Sequence, residues 1–168
     1  MNPVSVSKSG PGLAGLVRLQ RDLSQLRRAE VLVGIPAPKT QRKGAAITNA
    51  SLLFIHSKGS PKRRIPARPV LEPSIVANKA IITPHMGKAA AAVADRRPDI
   101  ARRELNLAGT VAANGAKRWF TDPRNNWAEN APSTLARLPK AKRAGKRPLI
   151  DTGQMRRNIT FVVRMGPQ

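Results

Sequence analysis

Residues 98–120 of the chain, PDIARRELNLAGTVAANGAKRWF, carry its clearest helical pattern. Pro98 suits the first turn of a helix, where its missing N–H costs nothing. Apolar residues recur at helical spacing after it, and the basic residues fall between them. The pattern predicts an amphipathic helix from Asp99 to Phe120, whose apolar face other elements must cover.

On the N-terminal side of this helix the sequence predicts further helices. Leu13–Arg28 has apolar residues on one half of a helical wheel and basic residues on the other. Val70–Ile82 is also helical in pattern, and Pro84 is expected to break it. The alanine-rich segment His85–Asp95 then predicts a separate helix.

The segment Ile47–His56 fits either a helix of about three turns or a strand. We favour the helix, because Thr48 or Asn49 can cap its start and Gly59 can stop it.

Two segments predict strands. Glu30–Ile35 is a short apolar run ended by Pro36 and Pro38, and Ile159–Arg164 is β-branched and alternating. With two or three short strands in all, the predicted fold is α+β: a small, mostly antiparallel sheet packed with about four helices.

The length of 168 residues and the mass of 18.2 kDa fit one domain. We expect a flexible N-terminal arm over residues 1–11 and a single domain over residues 12–168. Proline, glycine and charge predict extended loops at about 36–46, 57–69 and 121–148.

Composition excludes several classes of function. The chain has no cysteine, which rules out disulfides, thiolate zinc sites and cysteine nucleophiles. No apolar run approaches 18 residues, so we expect no segment that spans a membrane. The polar N-terminus lacks a secretory signal, which favours synthesis and retention in the cytoplasm or delivery from there into an assembly.

We also expect no enzymatic activity and no cofactor. The only histidines, His56 and His85, have no ligands at metal-binding spacing, and the nine carboxylates form no acid–base pair. His56 is expected to hydrogen-bond locally. The triplet Asp151-Thr152-Gly153 resembles that of retroviral-type aspartic proteases, but only 15 residues follow it. We prefer Asp151 or Thr152 as a cap for Gln154–Asn158.

The charge of +22, from 31 Lys and Arg against nine Asp and Glu, predicts a polyanionic partner. Nucleic acid, an acidic protein surface and an anionic membrane all remain open on composition alone. Trp119, Phe120 and Trp127 could stack on bases, but five aromatic residues in the whole chain favour a role in the core.

Three stretches carry a family resemblance. They are Val31–Pro36; Thr48–His56 with Gly59–Pro61 and Ile65–Pro73; and Trp119–Pro123 with Trp127, Pro148–Met155 and Ile159–Thr160. Their order and spacing resemble the virion morphogenesis, or tail-completion (neck), proteins of long-tailed double-stranded DNA phages. The Ile65–Pro73 box paired with Leu149–Gln154 is the most specific part.

The resemblance implies a structural virion protein made in the host bacterial cytoplasm. Such proteins form rings, here expected to be six- or twelve-fold, that join the head connector or adaptor to the tail terminator or tail tube around the DNA channel. The structural residues of the motifs are Gly34, Asn49, His56, Gly59, Pro66, Arg68, Pro69, Asp151, Thr152 and Gly153. The rival interpretation is a basic nucleic-acid-binding protein of the ribosomal or chromatin type.

In such a ring, a set of basic residues is expected to contact DNA or neighbouring subunits. These are Lys58, Lys62, Arg63, Arg64, Arg68, Arg137, Lys140, Lys142, Arg143, Lys146 and Arg147. Arg68 is also expected to anchor the Ile65–Pro73 box to a carboxylate or a carbonyl.

Overall fold

The computed structural model describes residues 11–27, 29–41, 46–137 and 147–164. Nearly all of the predicted arm, residues 1–11, lies outside this part of the chain, and its last residue, Pro11, begins the first helix. Within the described residues the helices are α1 (Pro11–Arg27), α2 (Asn49–Lys58), α3 (Leu71–Ala77), α4 (Lys79–Ala94), α5 (Pro98–Trp119), α6 (Pro132–Ala136) and α7 (Gln154–Asn158). The strands are β1 (Glu30–Gly34) and β2 (Thr160–Arg164).

The two strands pair antiparallel, although 125 residues separate the end of β1 from the start of β2. Glu30 lies opposite Arg164, Leu32 opposite Val162 and Gly34 opposite Thr160. Among the described residues this is the whole sheet. The predicted α+β class, with a small antiparallel sheet packed against helices, is confirmed.

Helix α5 lies at the centre of the fold, with α3, α4 and both strands packed on it. Its 22 residues span about 33 Å. Alanine and glycine fill most of its buried positions, so the neighbouring elements approach its backbone closely. At Gly109 the ring of Phe161 occupies the space where a Cβ would lie. The central helix predicted from Asp99 to Phe120 is therefore confirmed, with bounds shifted by one residue.

The main core lies at the C-terminal end of α5 and joins segments from the whole chain. Its buried members are Leu53, Val70, Ala116, Trp119, Phe120, Met155 and Ile159. Partly buried apolar side chains complete it: Val33, Ile35, Leu52, Leu71, Trp127, Leu149 and Ile150.

The predicted break at Pro84 is wrong, because α4 continues through this proline. The break lies at Asn78 instead, between α3 and α4. The Asn78 N–H donates to the carbonyls of Ser74 and Ile75, and its side-chain Nδ2 donates to Ser74 at 2.7 Å. This amide packs where Gly115 of α5 leaves room. The packing of α4 against α5 thus outweighs the cost of Pro84, which removes one backbone hydrogen bond from the helix.

The segment Ile47–His56 forms α2, so the helix favoured over the strand is confirmed. Thr48 caps it, since its Oγ1 accepts from the N–H of Ser51 at 3.1 Å. Gly59 ends it, donating its N–H to Ile55.

The predicted loops contain more regular structure than expected. Lys58 belongs to α2, and single 3₁₀ turns form at Ala37–Lys39, Pro61–Arg63 and Pro123–Asn125. Helix α6 interrupts the loop predicted over 121–148. Of the described helices, none has both the length and the apolar composition that crossing a bilayer requires.

Candidate functional site

A tight basic turn follows α2. Its entrance is Gly59, with φ of 72°, where a Cβ would lie 2.8 Å from the backbone nitrogen of Ala67. Only glycine fits both this backbone angle and this close approach. Beyond it, Ser60 and Ile65 exchange backbone hydrogen bonds of 2.8 and 3.0 Å, which closes the turn.

Four of the predicted contact residues lie at this turn. Lys58, Lys62, Arg63 and Arg64 are all exposed, and Arg64 adopts the left-handed conformation that reverses the chain. None of the four forms an ion pair with another described residue. The segment predicted to be an extended loop is thus a compact projection with a cationic tip, which we call the basic turn (58–65).

Arg68 is placed differently from these four residues. Its side chain is buried and faces the segment after α5. Nε and Nη2 donate to the carbonyl oxygen of Ala128 at 3.1 and 2.8 Å, and Nη2 also donates to that of Glu129 at 2.8 Å. The predicted anchoring to a carbonyl is confirmed. A direct contact of Arg68 with DNA or a neighbour does not fit this burial.

Trp127 adds a second link between the same segments. Its Nε1 donates to the carbonyl of Pro69 at 3.3 Å, and its ring meets that of Phe120 edge to face at 5.9 Å. Trp119 and Phe120 are both buried in the core. The core role favoured for these two rings is confirmed, and a base-stacking platform made from them does not fit.

His56 lies against the anchor. Its carbonyl accepts the N–H of Arg68 at 2.6 Å, while its buried side-chain Nδ1 has no hydrogen-bond partner. The local hydrogen bond expected of His56 is thus made by its backbone carbonyl, and Nδ1 takes no part in one. Burial lowers the pKa of His56 below its ordinary value of 6.5, and the charge of Arg68 lowers it further.

Asn49 is another buried motif residue. Its Nδ2 donates to the carbonyl of Gln41 at 3.2 Å and its N–H to that of Thr40 at 2.8 Å. These bonds tie the segment after β1 to the start of α2. Its Oδ1 has no partner.

The second motif box lies beside the end of α5. Gly153 has φ of 72° and precedes α7, and Thr152 Oγ1 accepts from the N–H of Gln154 at 3.4 Å. Arg157 donates back to the carbonyl of Thr152 at 2.9 Å. Asp151 is exposed at this bend. The N-cap of α7 is Gly153, which has no side-chain cap bond, and the hydroxyl of Thr152, one of the two predicted caps, reaches only the first N–H of the helix.

Arginine side chains bind the carbonyls at the C-terminal end of α5. Arg156 Nε donates to Lys117 at 2.8 Å, and Arg147 Nη1 donates to Thr121, just beyond the helix, at 2.8 Å. Cations at this position satisfy free carbonyls and the helix dipole. Arg147 is therefore held by a structural contact, whereas Arg137 is exposed at the end of α6. Lys140, Lys142, Arg143 and Lys146 lie outside the described residues.

One pair of titratable residues was missed by the sequence analysis. Nδ1 of His85 lies 2.8 Å from Oε2 of the buried carboxylate of Glu104, which Arg103 also contacts at 3.3 Å. These hydrogen bonds, the His85 bond first, hold the pKa of Glu104 below its usual 4.5 although burial raises it. Local spacing gives no signal for this contact, because it depends on how α4 and α5 pack against each other.

The described residues offer no group of three or more metal-ligating side chains. Comparisons with protein-family models, with curated proteins and with solved structures find no match to this chain.

Proposed function

We propose that this chain is a non-enzymatic structural subunit of a phage neck. In this proposal it forms a ring that completes the tail and joins it to the head connector around the DNA channel. It assembles in the bacterial cytoplasm and remains in the virion.

One observation supports this proposal above the others. Of the described side chains in the main core, all but Ala116 belong to the three stretches that carry the resemblance, whereas a second buried cluster of Ala92, Val93 and Ala101 lies outside them. These residues specify packing rather than an exposed reactive site. The resemblance therefore covers the residues that pack the main core around the C-terminal end of α5.

The anchor at Arg68 supports the same proposal. It fixes the Ile65–Pro73 box against residues 127–129, far along the chain, and so gives the basic turn (58–65) a rigid base. A rigid cationic projection suits contact with packaged DNA or with an acidic neighbouring protein. The family resemblance favours placing it in a neck ring.

The alternative is a basic nucleic-acid-binding protein. The exposed cations of the basic turn, which have no described ion-pair partner, also fit phosphate contacts. The two proposals differ in what holds the assembly together. A neck subunit associates through protein contacts, and a binding module associates only through the nucleic acid.

The test combines nuclease treatment with a search for rings. The purified protein is digested with nuclease, separated from fragments at 0.5 M salt, and imaged by negative-stain electron microscopy beside an undigested sample. Rings with a central channel in both samples support the neck subunit. Single subunits that bind a 30-base-pair duplex with submicromolar affinity at moderate salt would replace it with the binding module.

A further inference from the structure

The sheet of β1 and β2 has two free edges among the described residues. In an antiparallel pair, every second residue of a strand directs its N–H and C=O away from the partner strand. No other described residue accepts or donates a backbone hydrogen bond at these outward groups. Each edge is therefore ready to pair with one more strand.

Neither edge carries the features that usually prevent such pairing. Proteins commonly block free edges with proline, a bulge or a lysine in the middle of the strand. Here the middle of β1 is Val31–Val33 and that of β2 is Phe161–Val163, all apolar. The charged residues, Glu30 and Arg164, lie only at one end of the pair.

The face of the sheet that points away from α5 is also apolar in the middle, with its charged residues at one end only. Because Phe161 packs on Gly109 of α5, its neighbours Thr160 and Val162 point to the other face. Leu32 and Val162 lie opposite each other there and are 41% and 42% exposed. This face also carries one acid and one base, in a chain of net charge +22. It is a place where two copies can meet without strong repulsion.

Charge decides between two ways of joining copies through these edges. If β2 of one copy pairs with β1 of the next in the register seen within the copy, Arg164 again meets Glu30, and Val162 meets Leu32. If β1 pairs with β1 about a two-fold axis centred on Leu32, Glu30 faces Gly34 and no opposite charges meet. The first arrangement is head-to-tail, the kind that closes into rings.

We propose that β2 of each copy pairs antiparallel with β1 of a neighbouring copy, so that one continuous sheet runs around the ring. The occupant of each free edge is thus a second copy of this chain. The proposal rests on the proposed ring and names the contact that builds it. Across the shared sheet, Glu30 and Arg164 then alternate in one row of side chains, and Leu32 and Val162 alternate in a second, parallel row.

Cysteine cross-linking tests this contact, since the natural chain has no cysteine. Leu32→Cys and Val162→Cys are made as separate proteins, mixed and oxidised, and covalent dimers are counted on non-reducing gels. Leu107→Cys on α5, also 41% exposed, replaces Leu32→Cys in the control mixture. Circular dichroism checks that each variant is folded.

The proposal predicts dimers in the mixture of Leu32→Cys with Val162→Cys, at least ten-fold above the control and above either protein alone. Dimers of Leu32→Cys alone would show two-fold pairing and overturn the proposal. Dimers no more abundant than in the control would also overturn it. If rings persist without this cross-link, the proposed function stands and only this contact fails; if rings are absent too, both fail.

Charge reversal gives a second readout without cysteines. Glu30→Arg alone places like charges at every copy-to-copy contact, and so does Arg164→Glu alone. Each should weaken association several-fold in sedimentation, and mixing the two should restore it, because the contacts then alternate between opposite charges. Association that is unchanged in both single variants would overturn the proposed register.

Discussion

The guanidinium of Arg68 donates two hydrogen bonds to the carbonyl oxygen of Ala128, which lies sixty residues further along the chain. A third bond reaches Glu129. The acceptors are carbonyl oxygens and not carboxylates, so the fixed directions of the guanidinium N–H groups matter as much as its charge. Burial lowers the pKa of Arg68, as expected when a cation loses water. The contact makes the Ile65–Pro73 box part of the folded body.

Arg68→Ala should destabilise the protein by about 2 kcal/mol, because two carbonyls lose a charged donor. For a chain of this size this corresponds to a fall in Tm of about 4–8 °C, measurable by calorimetry. Arg68→Lys keeps the charge but cannot reproduce three bonds to two carbonyls, and should recover only part of the loss.

The matched control for Arg68 is Arg63→Ala on the exposed basic turn, which should leave Tm unchanged within a degree or so. An Arg68→Ala protein as stable as this control, and with unchanged assembly, would show that the anchor is not needed.

The two helical glycines Gly109 and Gly87 should respond in opposite directions to alanine. A Cβ at Gly87 has open space around it, so Gly87→Ala should stabilise α4 by about 1 kcal/mol through helix propensity. A Cβ at Gly109 meets the ring of Phe161, so Gly109→Ala should be about 2 kcal/mol less stable than Gly87→Ala.

Urea unfolding of both glycine variants provides the measurement. Adding Phe161→Leu to Gly109→Ala should make the two changes non-additive, because the smaller side chain makes room for the methyl group. Equal gains from both alanines would mean that the sheet does not pack against α5 at Gly109.

His56 should make stability depend on pH below its ordinary pKa of 6.5. The folded pKa is lowered by burial and by Arg68, so the unfolded chain takes up a proton first. The stabilising contribution is therefore complete above 6.5 and is lost as pH falls through the folded pKa. His56→Gln should flatten this part of the profile.

Asp122→Asn serves as the control for the His56 profile. Hydrogen bonds from Arg124 lower the pKa of Asp122 to about 2, from an ordinary 3.8, so this substitution should change the slope of stability against pH only below 3.8 and leave the slope near pH 6 unchanged. A His56→Gln profile that keeps the wild-type slope just below pH 6.5 would contradict the assignment.

The basic turn should govern the salt dependence of binding to duplex DNA. Replacing Lys62, Arg63 and Arg64 by alanine should reduce the slope of log K against log salt by up to about 3, since each phosphate contact contributes about 0.9. The measurement is fluorescence anisotropy with a 30-base-pair duplex from low salt to molar salt. A control removes three exposed charges elsewhere, Lys79, Arg102 and Arg118. An equal change in slope in both variants would assign binding to overall charge.

The sequence predicted the elements whose local signals agree with their packing. Thr48 and Gly59 mark both ends of α2, and the pattern after Pro98 marks α5. Pro84 misled the prediction: a proline inside a helix costs about 3 kcal/mol or more, yet α4 continues through it and the break falls at Asn78, which packs against α5.

Contacts between distant segments were harder to foresee. Nothing in local spacing shows that His85 meets Glu104, or that β1 pairs with β2. The first contact depends on how α4 packs on α5, and the second on how both strands pack on α5. The anchor at Arg68 was predictable in kind, because a lone arginine among prolines needs acceptors. Its acceptors, the carbonyls of Ala128 and Glu129, are backbone groups that every residue carries and no pattern reveals.

The most direct test of the account is the mass of the nuclease-treated protein in solution, measured by light scattering over a range of concentrations. The account predicts one discrete multimer that survives nuclease and 0.5 M salt, with the mass of six or twelve subunits of 18.2 kDa. A monomer that gains mass only when nucleic acid is added, and loses it on digestion, would contradict the neck-ring proposal.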